Sequence, residues 1–156
     1  LAASLKSLLA EICPNVTFEA MINIAHNYAA LETHFGQDVM VHRKGATKAF
    51  ENTIGIIPGS QGTKSYIVKG KGNPQSFKSC SHGAGRVMGR KQAIRLLDLA
   101  GEKEKLDRMG IVHAIRTKTD LDEASGAYKD ISEVMKNQAD LVTVLVELSP
   151  LGVIKG

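Results

Sequence analysis

Cysteine is scarce in this 156-residue chain, and that scarcity excludes a disulfide scaffold. Cys13 and Cys80 stand alone, neither within a C-x-x-C pair, so a reducing cytoplasm is the expected compartment. Long apolar runs are missing too. No stretch approaches the roughly 18 to 20 uncharged apolar residues of a membrane span, so no membrane partner is expected. Residues 1–10 have the apolar character of a signal-peptide core, but Lys6 interrupts them. Leu1, Leu5, Leu8, Leu9 and Ile12 instead share one face of an amphipathic helix. Strong charge of either sign is lacking: 20 basic against 16 acidic residues leave a formal charge of +4. That balance is compatible with a polyanionic partner without requiring one. Internal repeats, low-complexity tracts and linkers are absent, and 43% hydrophobic with 23% charged residues fits a globular chain. A single domain over residues 1–156 is expected. The chain also begins with Leu1 rather than Met, which suggests a fragment or a processed product.

A clean βαβ rhythm is missing as well, and what stands in its place is a mixture. A helix over residues 1–12 closes at Cys13-Pro14-Asn15, and a short second helix runs from Thr17, as N-cap, through Asn23. Residues 31–35 and 39–42 are β-compatible runs around Gly36-Gln37-Asp38, which predicts a hairpin; a helix through residues 28–32 is the competing reading. Strands at residues 54–57 and 65–68 flank a Pro/Gly turn, and the Gly-, Ser- and Asn-rich residues 70–85 read as mostly loop. Helices follow at 91–99, at 102–109 before Gly110, and at 130–139 with Asp130 as cap. Further strands are expected at 111–115 and 141–148. The fold class is therefore α+β, a mixed sheet with surrounding helices.

Glycine, by contrast, is concentrated. Three clusters stand out: His42-Arg43-Lys44-Gly45-Ala46-Thr47, Pro58-Gly59-Ser60-Gln61-Gly62-Thr63 and Ser81-His82-Gly83-Ala84-Gly85-Arg86. Glycine lets successive backbone N–H groups approach an anion, although any one such loop alone reads more readily as a tight turn. The third cluster carries chemistry. A neutral imidazole such as His82 can attack phosphorus and form a phosphoramidate, provided the phosphate is held in line and its charge neutralised. Flanking glycines clear space for a nucleotide, and Arg86 and Arg90 offer bidentate charge to phosphate oxygens. A dinucleotide reading of Gly83, Gly85 and Gly89 fails, because residues 76–81 make no convincing strand and no acid follows in context.

Taken in order, His42-Arg43-Lys44-Gly45-Ala46-Thr47, Gly62-Thr63-Lys64-Ser65-Tyr66-Ile67-Val68, Gly70-Lys71-Gly72-Asn73, the run from Ser79 through His82-Gly83-Ala84-Gly85-Arg86 to Met88, and the closing Val153-Ile154-Lys155-Gly156 resemble the RtcB RNA ligases. The similarity extends from His26 to the end, as the C-terminal portion of such a ligase. It implies a GTP- and manganese-dependent enzyme that joins RNA 3′-phosphate or 2′,3′-cyclic phosphate ends to 5′-hydroxyl ends, with GMP carried on His82. By matching motif, His26 is the manganese ligand and Asn27 lies beside the nucleotide. Pro58, Gly59, Ser60, Gln61 and Ser65 contact GMP, while Gly83, Ala84 and Gly85 line its ribose and phosphate. Tyr128 and Lys155 match guanine contacts. His42, Arg43, Lys44, Arg86 and Arg90, supported by Lys48, are expected to hold phosphate or RNA ends; a solvated basic face is their alternative. His34 and His113 are left as structural.

The resemblance implies RNA as partner, as tRNA halves or broken ends, with GTP and an activating protein factor. Two departures stand out. Gln61 occupies a position where many members carry Met, and Gly89 one usually held by Ser, which is expected either to loosen the start of the following helix or to remove a hydroxyl contact. The family's upstream metal-ligand motifs, an Asp…Gly-Cys, an Asn-His-Phe and a further His, are absent from this sequence. The chain alone is therefore expected to be nearly inactive as a ligase. The competing reading is a nucleotide- or RNA-binding module without ligase chemistry.

Overall fold

Side-chain alternation governs the first half of the molecule, for which the computed structural model describes residues 2–154 of the whole. Strands β1 (Asn27–His34) and β2 (Gln37–Lys44) pair antiparallel with His34 opposite Gln37. The loop is thus Phe35-Gly36, both with positive φ (+52° and +76°), the backbone that matches strand twist in a two-residue hairpin. The hairpin forms as expected, but Gln37 and Asp38 belong to β2 rather than to the turn. Helix α1 (Ala2–Ile12) also forms, yet buries none of its residues. The helix expected at 17–23 does not. Ile22 and Ile24 are half-buried while Met21, Asn23 and Ala25 are exposed, a period of two that belongs to extended chain. This segment lines a cleft with Ile54, Ile67, Leu145 and Val146.

The expected single mixed sheet is replaced, among the described residues, by small separate ones. Strands β4 (Ile54–Ile57), β5 (Ser65–Gly70) and β8 (Val142–Leu148) form an antiparallel three-stranded sheet in the order β4-β5-β8. Two further pairs are β3 (Ala46–Lys48) with β6 (Ser79–Ser81), antiparallel, and β7 (Val112–His113) with β9 (Gly152–Val153), parallel. The α+β class holds. Strand β6 lies where loop was expected; three residues carry too little alternation to announce a strand. It does not revive a dinucleotide site, because it runs antiparallel to β3 and no helix follows until α2 (Arg90–Leu96). Helix α3 (Leu99–Arg108) starts earlier than expected, since Asp98 accepts from the Gly101 N–H at 2.7 Å and caps it. Asp130 caps α4 (Ile131–Lys136), donated to by the Ser132 N–H at 2.8 Å. That helix stops short of 139, and the strand expected at 111–115 shrinks to β7.

Two apolar clusters hold these pieces. Ile57, Tyr66, Val68, Cys80, Ile131 and Val142 belong to one, and Leu106, Ile111, Ile115, Leu121 and Ala124 form the other. The surface is large for the mass. The chain exposes 10137 Å², where a compact 16.8 kDa monomer exposes about 7,700 Å². Part of the excess is apolar: Val144, Leu145 and Val146 of β8 are each 45–47% exposed.

Beneath the hairpin lies a buried ion pair. Tyr28, Ala30, Glu32 and His34 share one face of β1, and Arg43 points to that same face from β2. Arg43 is 2% exposed. Its Nε donates to Ser79 Oγ (3.0 Å), one terminal nitrogen to Tyr28 Oη (3.1 Å) and Glu32 Oε1 (2.7 Å), and the other to Glu32 Oε2 (2.8 Å) and the Phe77 carbonyl (3.0 Å). All five guanidinium N–H groups are thereby used. The expectation that Arg43 grips phosphate or RNA is corrected: it has no donor left, and it ties the hairpin to β6. His42 and Lys44, on the opposite face, remain exposed.

The Arg43 hydrogen bonds hold the Glu32 carboxyl at about 2, below its usual 4.5, against the opposing effect of burial and with help from His34. A carboxyl whose folded pKa is lowered contributes stability that is complete above about pH 4.5 and lost as pH falls through about 2. Urea midpoints should therefore drop across that acid window in the parent chain and much less in Glu32→Gln. At pH 7 Glu32→Gln should cost about 3 kcal/mol, because it strands a buried guanidinium. The same assay should separate core from surface leucines. Leu121→Ala, fully buried, should cost about 2–5 kcal/mol. Leu8→Ala, 52% exposed on α1, should stay within about 0.5 kcal/mol.

Candidate active site

The three glycine clusters, scattered in sequence, meet through their backbones. The His82 N–H donates to the Gly45 carbonyl at 3.4 Å, joining the third cluster to the first. The Ala84 N–H donates to the Pro58 carbonyl at 3.0 Å, joining it to the second. Only small residues permit this approach. A Cβ on Gly83 would lie 3.1 Å from the Pro58 carbonyl oxygen, and one on Gly59 would strike the Lys64 carbonyl at 2.1 Å. Within the second loop the Gly59 N–H donates to Ser65 Oγ (3.2 Å) and the Ser60 N–H to Thr63 Oγ1 (2.6 Å). Ser65 thus braces the loop expected to contact GMP.

Strand β6 delivers His82. Gln138, 4% exposed, accepts from the Ser81 N–H at 3.0 Å, and Ser81 Oγ donates to the Gly83 carbonyl. The half-buried His82 ring stacks on His26, with centroids 5.1 Å apart and planes 26° from parallel. His26 and Asn27 sit at the open end of the hairpin, where Asn27 pairs with Lys44 and Ala29 with His42. The expected nucleophile, the expected metal ligand and two exposed basic side chains are therefore gathered at this end of β1–β2.

Tyr128 is also brought to the HGAGR segment. The Lys129 N–H donates to the Gly85 carbonyl at 2.9 Å, the Val87 N–H to the Ala127 carbonyl at 2.9 Å, and Tyr128 bridges to Arg86. Arg86 donates to the Met88 carbonyl (3.0 Å), Glu123 Oε2 (2.9 Å), Tyr128 Oη (3.0 Å) and the Asp122 carbonyl (2.5 Å). Arg90 reaches Glu123 Oε1 at 2.8 Å. Burial opposes ionisation of Glu123, but the Tyr128 hydroxyl and the two arginines outweigh it and lower its pKa. Burial and that same carboxylate raise the Tyr128 hydroxyl. Arg86 and Arg90 thus meet a carboxylate within the chain, and for Arg86 most of its donors hold the loop rather than face an open phosphate site. Glu123, Glu32 and Gln138 are the residues that motif reading passed over.

The donor set decides which groups fit here. Among the described residues no group of three or more His, Cys, Asp or Glu could hold a metal ion. His26 is at most one ligand, and the residues do not by themselves make a manganese site. Cys80 is buried, which pushes its thiol up, and it lies 3.3 Å from Thr47 Oγ1; Cys13 is exposed. A nucleotide fits better. Gln61 Oε1 is a buried acceptor without a donor, in the loop beside His82's segment. Gly89 caps α2 without any side-chain bond and has open space at its Cβ, so the missing Ser hydroxyl leaves that helix start uncapped. The guanine contact expected of Lys155 lies outside the described residues.

Known proteins are similar to this chain along most of its length. A family model described as tRNA-splicing ligase RtcB matches residues 1–156. RNA-splicing ligase RtcB of Escherichia coli (strain K12) is 46% identical over 135 residues, which is 86% of this chain and 32% of that protein. tRNA-splicing ligase RtcB of Nanoarchaeum equitans is 36% identical, covering 98% of this chain and 37% of its own length. RNA-splicing ligase RtcB of Mycobacterium bovis is likewise 36% identical, covering 88% and 37%. The chain spans about a third of the length of these relatives. Joined loops, paired histidines and a match along the whole sequence lead to one assignment: the chain belongs to the RtcB family of tRNA-splicing ligases.

Proposed function

We propose that this chain is the nucleotide-transferring portion of an RNA ligase, with His82 as the group that carries GMP. The observation that carries the reading is the stacking of His26 on His82 where three glycine loops converge. An imidazole nitrogen of His82 attacks the α-phosphorus of GTP. A P–N bond forms, the P–O bond to pyrophosphate breaks, and the leaving group departs with the electron pair. An oxygen of an RNA 3′-phosphate then attacks the guanylyl phosphorus, the P–N bond breaks and its electron pair returns to His82. A 5′-hydroxyl, losing its proton, attacks the 3′-phosphate phosphorus, expelling GMP and forming the phosphodiester. Gly83, Ala84, Gly85 and the loop of Pro58, Gly59, Ser60 and Gln61 line the nucleotide, with Tyr128 toward the base; Lys155, outside the described residues, is assigned to the guanine by its motif alone. His42 and Lys44 offer exposed charge to RNA phosphates.

Manganese, when bound, supplies Lewis-acid charge to phosphate oxygens. His26 would be one ligand of that centre, completed by groups from the longer polypeptide of which the relatives' length is the precedent. The part-exposed Val144, Leu145 and Val146 of β8 support the same division.

The chain supplied with the upstream portion of a longer relative, α-labelled GTP and manganese should acquire label on His82. His82→Ala should take none, and His26→Ala should lower labelling at least about tenfold, since even outer partners of metal ligands are worth 10–100-fold. The chain by itself should seal RNA ends negligibly. RNA or nucleotide binding that weakens with salt, with no adduct under any condition, would leave only a binding module.

A further inference from the structure

Two phenylalanines stand together on the surface at the tip of the hairpin. Phe35 is 62% and Phe77 42% exposed, and their rings meet edge to face with centroids 5.5 Å apart. Both have left-handed backbone, each at φ +52°. Phe35 occupies the first position of a two-residue hairpin loop, where Asn or Gly is favoured, and Phe77 closes the 3-10 turn Pro74–Ser76. A bulky side chain in that region costs of order 1–2 kcal/mol per residue. Phe35 stays mostly in water, and Phe77 keeps about two-fifths of its surface there despite its contact with His34. Folding alone gives no reason for two large aromatics at these positions, and strain of this kind points toward a binding role.

The surroundings indicate what binds. His34 lies 5.0 Å from the Phe77 ring and 6.3 Å from Phe50, so the aromatic surface continues inward. Lys48 and Lys78 stand over Phe50 at 4.2 and 5.0 Å from its centroid. Of the nearby carboxylates, Glu32 is held chiefly by Arg43 and His34, with Lys48 Nζ 3.9 Å from its Oε1, and Asp38 accepts from Thr33. Rings interleaved with ammonium groups are what unpaired nucleotides recognise: bases stack on the rings and phosphates meet the charge. Position relates this surface to the candidate nucleophile. Phe77 and Lys78 immediately precede β6, and His82 immediately follows it. Five residues of extended chain separate Phe77 from His82 by at most about 17 Å.

We infer that Phe35 and Phe77, flanked by Lys48 and Lys78, form a stacking site for unpaired nucleotides of the RNA strand whose end reaches His82. The inference rests on the ligase reading for the identity of that strand.

The probe is a fluorescent single-stranded oligoribonucleotide of about 12 nucleotides with a 3′-phosphate, titrated onto the chain beside a duplex control. Phe35→Asn and Phe77→Asn remove the rings and put at both positions a residue that favours this backbone. Thermal unfolding should therefore show the variants at least as stable as the parent. Each should weaken single-strand binding about 5- to 100-fold and leave duplex binding unchanged, given the worth of one base–aromatic stack. Lys78→Ala should weaken binding and flatten its salt dependence by about one phosphate contact. Parental affinity in a folded Phe35→Asn/Phe77→Asn double variant overturns the site. Normal RNA binding with lost association to the upstream portion of a relative also overturns it, making the patch a protein interface. If label never forms on His82 while the Asn variants still weaken binding, the ligase reading fails and the stacking site stands.

Discussion

A guanidinium buried to within 2% of full occlusion carries a large desolvation cost unless every one of its hydrogens is met. Arg43 meets that condition with groups from three parts of the chain: Tyr28 and Glu32 on β1, Phe77 before β6, and Ser79 on β6. The consequence is geometric as well as energetic. The strand that begins beside His26 is locked to the strand that ends beside His82, so the two imidazoles cannot drift independently. An ion pair of this kind is weak evidence for net stability but good evidence for a fixed register. The stacked histidines are what that register produces.

Close backbone approach is the second constraint, and it explains where glycine is spent. Gly70 and Gly59 sit where a Cβ would collide with the carbonyl oxygens of Phe50 and Lys64 at 2.3 and 2.1 Å. Those positions have ordinary φ, so the need there is space rather than conformation. Gly85, at φ +73°, is different: its backbone turn lets its own carbonyl accept from Lys129, which brings Tyr128 alongside. The loops converge on His82 through carbonyl–amide bonds, and the buried Gln61 Oε1 among them has no hydrogen-bond donor in the chain.

Much of this was legible in the sequence where the signal is local. The hairpin, α1, the cap at Asp130 and the three glycine clusters follow from alternation, amphipathic spacing and turn chemistry. Arg43 was misread because His42-Arg43-Lys44 was weighed by composition. In a strand three consecutive basic residues cannot face one way, so the middle one must point opposite its neighbours. Had that been applied, Glu32 on the facing strand would have emerged as its partner. Residues 17–23 were misread in the other direction, since a good N-cap outweighed the alternation of Ile22 and Ile24. Strand β6 was illegible in principle: its three residues are a strand only because β3 lies beside them. Glu123 was illegible for the same reason, since nothing local joins it to Arg86 and Arg90.

The distribution of chemistry along the chain has a physical logic. A nucleophilic imidazole needs exact placement against a phosphate, which short loops pinned by backbone bonds can provide within one compact segment. A divalent metal needs several ligands converging from different directions, which is easier when separate parts of a polypeptide face each other across a cleft. Gly45, Pro58 and Gln138 pin the backbone around His82, while among the described residues no group of three or more His, Cys, Asp or Glu is gathered for a metal. β8 is an edge strand of its three-stranded sheet, and although Leu145 and Val146 share a cleft with residues 19–24, Val144, Leu145 and Val146 each stay nearly half exposed and open to a further surface. A surface left open by about 2,400 Å² beyond the compact expectation is large enough for such a contact, at the scale of an obligate interface. On the proposed reading, the loops around His82 supply the covalent half of the site and the exposed strip of β8 marks where the portion carrying the metal half would pack.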